Sequence, residues 1–341
     1  MFFLFSTFSL ASLSLGLSEE RSFVNWMRNN NLMYNGDEYH FRLGIFLTNL
    51  RIVQQHNAKK DVPYTLGMNS ISCLTPSEYH QLLGMKRRIL SHSEKVSIEK
   101  VLPFKEKVLS SKENRPSLKK SLPETIDYRE QGVVNEIQDQ GLCGSCWAFS
   151  TTQAMESQWA LNHPGELYLL SVQALVDCVD TCDGCGGGFE DLAYDYILDK
   201  QNGCWATWDD YPYVQYTDEC KYDASKGVCK FSSYVRVTRG DVDELAEKLV
   251  AHGVVSVAVH ASDFGFQLYQ GGVYTDTRCS GEYDDLDHGV GLVGYGYKLG
   301  HDYWIIRNSW GVTWGERGYM SLARDLGNIC GVATDAMIPL L

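Results

Sequence analysis

The chain has 341 residues, of which 44% are hydrophobic and 21% are charged, which is enough apolar material for one large domain or two smaller ones. The net charge of -13 is unevenly divided: residues 18–121 carry 17 Lys+Arg and 10 Asp+Glu, whereas residues 122–341 carry 13 and 33. The acidic larger part argues against nucleic-acid binding, and its attraction to the basic part would weaken in acid as carboxylates protonate.

The N-terminus predicts a secretory signal peptide over residues 1–17. The uncharged apolar run MFFLFSTFSLASLSLG is too short to cross a bilayer, and small residues follow where a signal peptidase would cleave. A buried N-terminal helix is the alternative. No later segment is long and apolar enough to span a membrane. Export to an oxidising compartment would let many of the 11 cysteines form disulfides.

Residues 19 to about 84 are predicted to be mainly helical. Six side chains recur at intervals of three or four residues, which places them on one face of a long helix. They are Glu38, Arg42, Phe46, Asn49, Val53 and Asn57. Residues 86–121 are rich in Lys, Ser and Glu and have little periodicity, so they are predicted to form a linker.

Beyond the linker, predicted helices precede predicted strands. An amphipathic helix is expected over residues 146–161, a short one after its cap Ser171, a third around 189–197 and a fourth after its cap Asp241. The runs VVSVAVHA, HGVGLVGYGY, DYWIIRNSW and GYMSLAR are β-branched or aromatic and separated by glycines, which is typical of strands. This order indicates an α+β protein with one helical and one β lobe.

The segment DQGLCGSCWAFS contains Cys143 and Cys146 at C-x-x-C spacing. Such a pair can be a redox dithiol, half of a zinc site, or two cysteines with separate roles. Cys146 lies at the predicted start of a helix, where the helix dipole favours a thiolate. A zinc site built from the later segment CVDTCDGC is disfavoured, because no supporting His lies nearby and disulfide formation would compete with the metal.

A nucleophilic thiolate also needs a base and a donor for the developing oxyanion. His288, before a Gly-rich strand, can be the base, and Asn308 in WIIRNSWG can orient its ring without competing for the proton. Gln140 supplies an amide donor near Cys146. A lone His before a strand is more often structural, but the ordered set predicts a cysteine-nucleophile site.

The segments QGLCGSCWAFS, LSVQALVDC, GCGGG, YPY, LDHGVGLVGYG and YWIIRNSWGVTWGERGY follow one another between residue 122 and the C-terminus. Together they resemble the papain and cathepsin cysteine peptidases. The resemblance implies a papain-like two-lobed fold, with a helical left lobe, a β-barrel-like right lobe and an active-site cleft between them, preceded by a small helical prodomain. It implies a cysteine-type endopeptidase that hydrolyses peptide bonds through a thioester acyl-enzyme, without cofactor or metal.

The resemblance also assigns roles to residues. It makes Cys146 the nucleophile, His288 the general acid/base and Asn308 its orienter. Gln140 becomes the oxyanion donor, and Trp310 shields the His–Asn hydrogen bond from water. A catalytically silent binding or storage homologue is the alternative, but it would be signalled by loss of the nucleophile, the His or the Asn, and none is lost.

The front half resembles the propeptides of cathepsin L-like enzymes. The six side chains of the predicted long helix match the ERFNIN motif, with Val53 in place of Ile. Such propeptides run through the active-site cleft and keep the enzyme latent as a zymogen. A second motif, G-x-N-x-F-x-D, is half present in GMNSISC, which keeps Gly67 and Asn69 but has Ile71 and Cys73 at the last two positions. The missing carboxylate removes an acid trigger that depends on that Asp.

The resemblance divides the chain into a signal peptide (1–17), a propeptide (18–121) whose inhibitory domain covers about 19–84, and a peptidase domain (122–341). The implied disulfides are Cys143–Cys185, Cys178–Cys220 and Cys279–Cys330, with the nucleophile left free. Cys182, Cys204 and Cys229 are extra in the peptidase half, and a fourth bridge is expected between the last two.

By resemblance, the S2 pocket, which binds the substrate residue P2, is formed by a set of residues from several segments. They are Gly187, Gly188, Phe189, Glu190, Ala258, Leu286, Asp287 and Asp335. In most relatives the residue at the position of Asp335 is neutral, and the pocket takes Leu or Phe at P2. In some relatives an acidic residue at this position lets the pocket also accept Arg at P2. Asp335, aided by Glu190 at the rim, is therefore expected to add P2 Arg; the alternative is that Asp335 faces solvent.

The expected partners are protein and peptide substrates, the enzyme's own propeptide as intramolecular inhibitor, and cystatin-like inhibitors. Nucleic acid and membrane are not expected partners, and the enzyme is expected to be a monomer. It would enter the secretory pathway and act in a lysosome or digestive vacuole or outside the cell.

Overall fold

A computed structural model describes residues 6–85 and 122–341, with side chains from residue 18 onward. The predicted linker, residues 86–121, lies outside the described part. The helices are α1 (Ser6–Asn29), α2 (Gly36–Asn57), α3 (Pro76–Leu82), α4 (Cys146–Asn162), α5 (Val172–Cys178), α6 (Glu190–Lys200), α7 (Val242–His252) and α8 (Phe264–Gln267). None of these described helices has the length and apolarity needed to cross a membrane.

The strands of the described residues are β1 (Tyr64–Leu66), β2 (Ile126–Asp127), β3 (Ser233–Arg236), β4 (Val255–Val259), β5 (Tyr269–Tyr274), β6 (His288–Lys298), β7 (His301–Arg307), β8 (Tyr319–Ala323) and β9 (Ala336–Leu340). These nine strands form one sheet in the order β1-β5-β8-β7-β6-β4-β9-β3, with β2 paired to β6. All pairs are antiparallel except β5 with β8. The described part of the predicted propeptide, residues 18–85, is called the prosegment below. Its strand β1 pairs with β5, so the prosegment extends the sheet of the β lobe by one strand.

The prosegment is less helical than predicted, because an extended stretch separates α2 from α3. Phe23, Trp26 and Phe46 form its core between α1 and α2. The polar members of the long helix face bind that extended stretch: Asn49 Nδ2 donates to the Ser72 carbonyl at 2.7 Å and Asn57 Nδ2 to the Leu66 carbonyl at 2.8 Å. Their amides hydrogen-bond to backbone carbonyls of that stretch and so hold it against α2.

The four helices predicted after residue 122 are present. The Ser171 and Asp241 side chains accept backbone N–H groups at the starts of α5 and α7, as predicted. The amphipathic interpretation of α4 was wrong, because 14 of its 17 residues are buried. This helix lies between the lobes and contacts both α6 and β6, so it has no broad solvent face.

Three disulfides join the pairs that the resemblance implied: Cys143–Cys185, Cys178–Cys220 and Cys279–Cys330. The first pair rules out a redox dithiol of Cys143 with the free Cys146. The expected fourth bridge was wrong, since Cys204 and Cys229 are both free. Cys229 is buried in the helical lobe, whereas the partly exposed Cys204 directs its thiol toward the Asn202 carbonyl at 3.8 Å.

Candidate active site

Three segments meet where the two lobes join. Cys146 begins α4, His288 begins β6, and Asn308 directly follows β7, the neighbour of β6 in the sheet. All three side chains are buried, with at most 1% of their surface exposed. The strand pairing brings the His and the Asn together, and α4 presents the thiol from the other lobe.

His288 and Asn308 form a hydrogen bond of 2.8 Å between Nε2 and Oδ1. An amide oxygen can only accept, so Nε2 carries the proton and Nδ1 is the nitrogen left for another partner. His288 Nδ1 has no hydrogen-bond partner among the described residues. The tautomer that Asn308 selects is the one in which Nδ1 of the neutral ring can accept a proton.

Trp310 covers the His–Asn pair. Its indole stacks on the His288 ring with centroids 4.4 Å apart and an angle of 28°, and Phe266 meets the same ring edge-on at 6.1 Å. This apolar cover excludes water and disfavours the imidazolium. Burial lowers the pKa of His288 to about 4, against the smaller opposing effect of Asn308.

Cys146 is covered by the prosegment. The Gly84 N–H donates to its sulfur at 3.2 Å, and burial raises the pKa of the thiol to about 12. The helix start predicted a thiolate, but desolvation outweighs the dipole while the prosegment is in place. The low pKa of His288 and the high pKa of Cys146 keep both groups neutral in this state.

Gln140 directs its amide into the same cleft. Its Oε1 accepts the Ser309 hydroxyl at 2.7 Å, which fixes the orientation of the amide. Its Nε2 then donates to the Cys143 carbonyl at 2.8 Å and to the Leu82 carbonyl of the prosegment at 2.9 Å. The Leu82 carbonyl of the prosegment therefore accepts a hydrogen bond that the Gln140 amide could otherwise donate to a substrate oxygen.

The prosegment crosses the cleft as an extended chain held by its backbone. The Gly188 N–H donates to the Gly84 carbonyl at 2.8 Å, and the Met85 N–H donates to the Asp287 carbonyl at 3.0 Å. A Cβ on Gly84 would lie 1.9 Å from the Gly144 carbonyl oxygen, so only glycine fits over the thiol.

The direction of this chain follows from its contacts. Leu82 is on the Gln140 side of the thiol, and Met85 joins the apolar cluster of Ala258 and Leu286, two predicted S2 residues. In a substrate, P2 precedes the scissile bond, whereas Met85 follows the residue that covers Cys146. Relative to a substrate whose P2 side chain occupies this predicted S2 pocket, the prosegment therefore runs in the opposite direction.

Of the predicted S2 residues, Phe189, Ala258 and Leu286 share one apolar cluster with Met85, and Arg236 is an unexpected neighbour of Asp335. Asp335 is only 6% exposed, so the alternative that it faces solvent was wrong. Arg236 on β3 donates to it at 2.9 Å and also pairs with Asp191 on α6. Sequence reasoning missed Arg236, because no motif marks it and its partner lies 99 residues away.

The second propeptide motif has Cys73 where an Asp is expected, and Glu78 supplies a carboxylate close to that position. Arg42 binds both oxygens of Glu78, at 2.5 and 2.6 Å, and donates to the Cys73 carbonyl at 2.8 Å. Glu78 also completes a capping box with Thr75 at the start of α3. The sequence TPSE carries that capping signal, so it could have pointed to Glu78.

Charge complementarity between the two halves makes no ion pair among the described residues. The ion pairs formed there lie within the prosegment or within residues 122–341. The described hydrogen bonds between the halves include neutral ones, such as Asn69 Nδ2 to the Gln267 carbonyl at 2.8 Å and the Tyr79 hydroxyl to the Ala261 carbonyl at 2.6 Å. The Tyr64 hydroxyl also donates to the Asp276 carboxylate at 3.4 Å. Of the 17 basic residues in the front half, 11 lie in the segment outside the described part.

Comparison with known proteins agrees with this geometry. The papain family cysteine protease model matches residues 122–340, and the cathepsin propeptide inhibitor domain (I29) model matches residues 23–79. The chain belongs to the papain family of cysteine proteases, which are hydrolases. Within that family it is a cathepsin L-like protease zymogen that carries its own propeptide inhibitor domain.

Relatives and solved structures match almost the whole chain. A cathepsin L-like proteinase of Fasciola hepatica is 38% identical, with 98% of each chain covered. Cathepsin L2 of Homo sapiens is 32% identical over 97% of this chain and 98% of its own. The digestive procathepsin L 3 of the Tenebrio molitor larval midgut has a TM-score of 0.80 at 35% identity, covering 95% of this chain and 99% of its own.

Proposed function

We propose that this protein is a cysteine endopeptidase in which Cys146 is the nucleophile, His288 the general acid/base and Asn308 the residue that orients it. The observation that carries the proposal is the 2.8 Å His–Asn hydrogen bond beneath Trp310, which leaves Nδ1 as the ring nitrogen without a hydrogen-bond partner among the described residues. A catalytically silent homologue would have no need for this selected tautomer or for a prosegment amide bonded to the thiol.

The proposed reaction begins when the prosegment leaves and water enters the cleft. Removing the desolvation lowers the pKa of the thiol and raises that of the imidazole, so a proton passes from Cys146 Sγ to His288 Nδ1. The thiolate attacks the peptide carbonyl, and the Gln140 amide stabilises the oxyanion. His288 then returns the proton to the leaving amine, and water hydrolyses the thioester.

The proposal includes the boundaries and the environment of the enzyme. Residues 1–17 are the signal peptide, residues 18–121 the propeptide, and the mature peptidase begins near Leu122. The mature enzyme is a monomer of the secretory pathway, active in a lysosome or digestive vacuole or outside the cell, and open to cystatin-like inhibitors. An endopeptidase is supported by the sequence, which has no His-rich insertion that could block one end of the cleft.

The proposed P2 preference is for apolar side chains, with basic side chains also accepted. Met85 of the prosegment supports the apolar part, because it is 4% exposed in one cluster with Ala258 and Leu286. Asp335 is paired with Arg236, so the basic part is supported by the buried carboxyl group of Glu190.

Acid treatment tests the proposed activity. We expect the zymogen to convert at low pH to a form that hydrolyses a fluorogenic peptide with Leu at P2, because protonation of Glu78 removes its pairing with Arg42, which stabilises the folded prosegment. Hydrolysis is followed before and after acidification, with and without an epoxide that alkylates thiols. Cleavage that persists in the epoxide-treated sample would contradict a cysteine mechanism.

Glu78 is expected to keep the zymogen latent in mild acid. Arg42 lowers the pKa of Glu78 to about 2 from an ordinary 4.5, so their pairing stabilises the folded prosegment above about pH 4.5 and is lost as pH falls toward 2. In Glu78→Gln this contribution is absent at every pH. We expect this variant to mature several-fold faster than wild type at pH 5, measured by gel shift and peptide cleavage.

Glu38→Gln is the matched control. Glu38 also binds Arg42, but it is exposed and lies one helical turn away on the same helix. Exposed ion pairs of this kind contribute little to the stability of the fold. Equal maturation rates for the two variants would show that Glu78 has no special part in latency.

A further inference from the structure

Glu190 is a buried carboxyl group with no partner. It is the first residue of α6 and is 1% exposed, and neither of its side-chain oxygens has a hydrogen-bond partner elsewhere among the described residues. Its own backbone N–H lowers the pKa of this carboxyl group, but by less than burial raises it. A buried polar group without partners costs stability, so its presence calls for a ligand that would satisfy it.

The carboxyl lies at the inner end of the S2 region. A Cβ built on Gly289 would be 2.9 Å from Glu190 Oε1 and 3.1 Å from the Cys146 carbonyl oxygen. Gly289 follows His288 and pairs with Ala258 between β6 and β4. Ala258 shares an apolar cluster with Met85, so Glu190 is next to the strand pair against which the prosegment side chain packs.

The charges around Glu190 leave it without a counterion. Arg236 forms ion pairs with both Asp191 and Asp335. This one cation is therefore already shared between two carboxylates and does not form an ion pair with Glu190. Burial, and then the charge of Asp335, raise the pKa of Glu190 well above its ordinary value. With an apolar side chain in the pocket the group is neutral, and the surrounding charges still favour the entry of a cation.

We propose that Glu190, rather than Asp335, is the residue that lets the S2 pocket accept Arg at P2. This inference rests on the proposed function. The P2 guanidinium donates to the two carboxyl oxygens that have no other partner, and Glu190 releases its proton to solvent as the ion pair forms. Asp335 acts through Arg236, which it holds against α6, and does not bind the P2 side chain.

The experiment compares two fluorogenic peptides that differ only in Leu or Arg at P2. The full-length zymogens of wild type, Glu190→Gln and Asp335→Asn are matured in acid and then assayed. The concentration of active sites in each preparation is determined by titration with an epoxide. Both substitutions remove one carboxylate at constant size, so each is the control for the other. The readout is the Arg:Leu ratio of kcat/KM, which cancels losses in folding or maturation.

We expect wild type to cleave the Arg peptide at no less than about one tenth of the Leu rate, and Glu190→Gln to lower the Arg:Leu ratio by about tenfold or more. Asp335→Asn should lower it by less than about threefold. An unchanged ratio in Glu190→Gln, or an equal loss in Asp335→Asn, overturns the inference. So does a wild type that cleaves the Leu peptide and rejects the Arg peptide. A wild type that cleaves neither peptide would instead overturn the proposed function.

Discussion

Replacing Cys146 by Ala is expected to lower kcat/KM for peptide hydrolysis by about 10⁴-fold or more, because no other group can form the acyl-enzyme. Cys146→Ala cannot mature itself, so its prosegment is removed by a trace of tagged wild-type enzyme. The tagged enzyme is then withdrawn on resin and its remainder blocked with epoxide before the assay. The variant should still bind peptide inhibitors, since its pocket is intact.

Cys204→Ser is the matched control for this experiment. Cys204 is also a free cysteine of the helical lobe, but it is partly exposed and its thiol contacts the Asn202 carbonyl, with no part in the cleft. This variant should mature by itself and cleave peptides like wild type. Undiminished cleavage by Cys146→Ala would contradict the mechanism, and loss of cleavage in Cys204→Ser would show that thiol substitution alone disturbs the enzyme.

Replacing Gly84 by Val is expected to abolish latency. The first added carbon would lie 1.9 Å from the Gly144 carbonyl oxygen, which is backbone and cannot move aside. The extended segment over Cys146 must therefore leave the cleft, together with the N–H that donates to the sulfur. We expect the unprocessed variant at neutral pH to react with the epoxide at least about 100-fold faster than wild type, since the thiol loses its cover.

Gly44→Ala is the control for the prosegment change. Gly44 lies within α2, where an added Cβ meets no atom within 4 Å. Ala is a better helix former than Gly by about 1 kcal/mol, so this variant should be at least as latent as wild type. If Gly84→Val stays as unreactive as Gly44→Ala, the backbone contacts at Gly84 are not what blocks the thiol.

Local patterns predicted the parts of the fold that depend on local interactions. The caps Ser171 and Asp241 act within a few residues of themselves, and both are present. Strands β5 and β9 were missed because YQGGVY contains two glycines and AMIPL contains a proline, which hide their strand character. The burial of α4 depends on the lobe that covers its second face, which no periodicity within one helix can reveal.

The same distinction separates the predicted from the unpredicted parts of the site. Cys146, His288 and Asn308 stand in ordered motifs, so the sequence pointed to them. Arg236 and Glu78 are single charged residues whose partners lie far along the chain, and folding alone brings the pairs together. The isolation of Glu190 likewise follows from what surrounds it, since its charge in the sequence says nothing about burial.

Alkylation of the wild-type protein by the epoxide, before and after prosegment removal, tests the central claim most directly. The claim is that the prosegment keeps Cys146 as a neutral, covered thiol and that its release creates the nucleophile. We predict slow labelling of the zymogen and fast labelling of the mature enzyme, with a single adduct that peptide mass mapping places on Cys146. Equal labelling rates in the two forms, or an adduct on Cys182, Cys204 or Cys229, would contradict it.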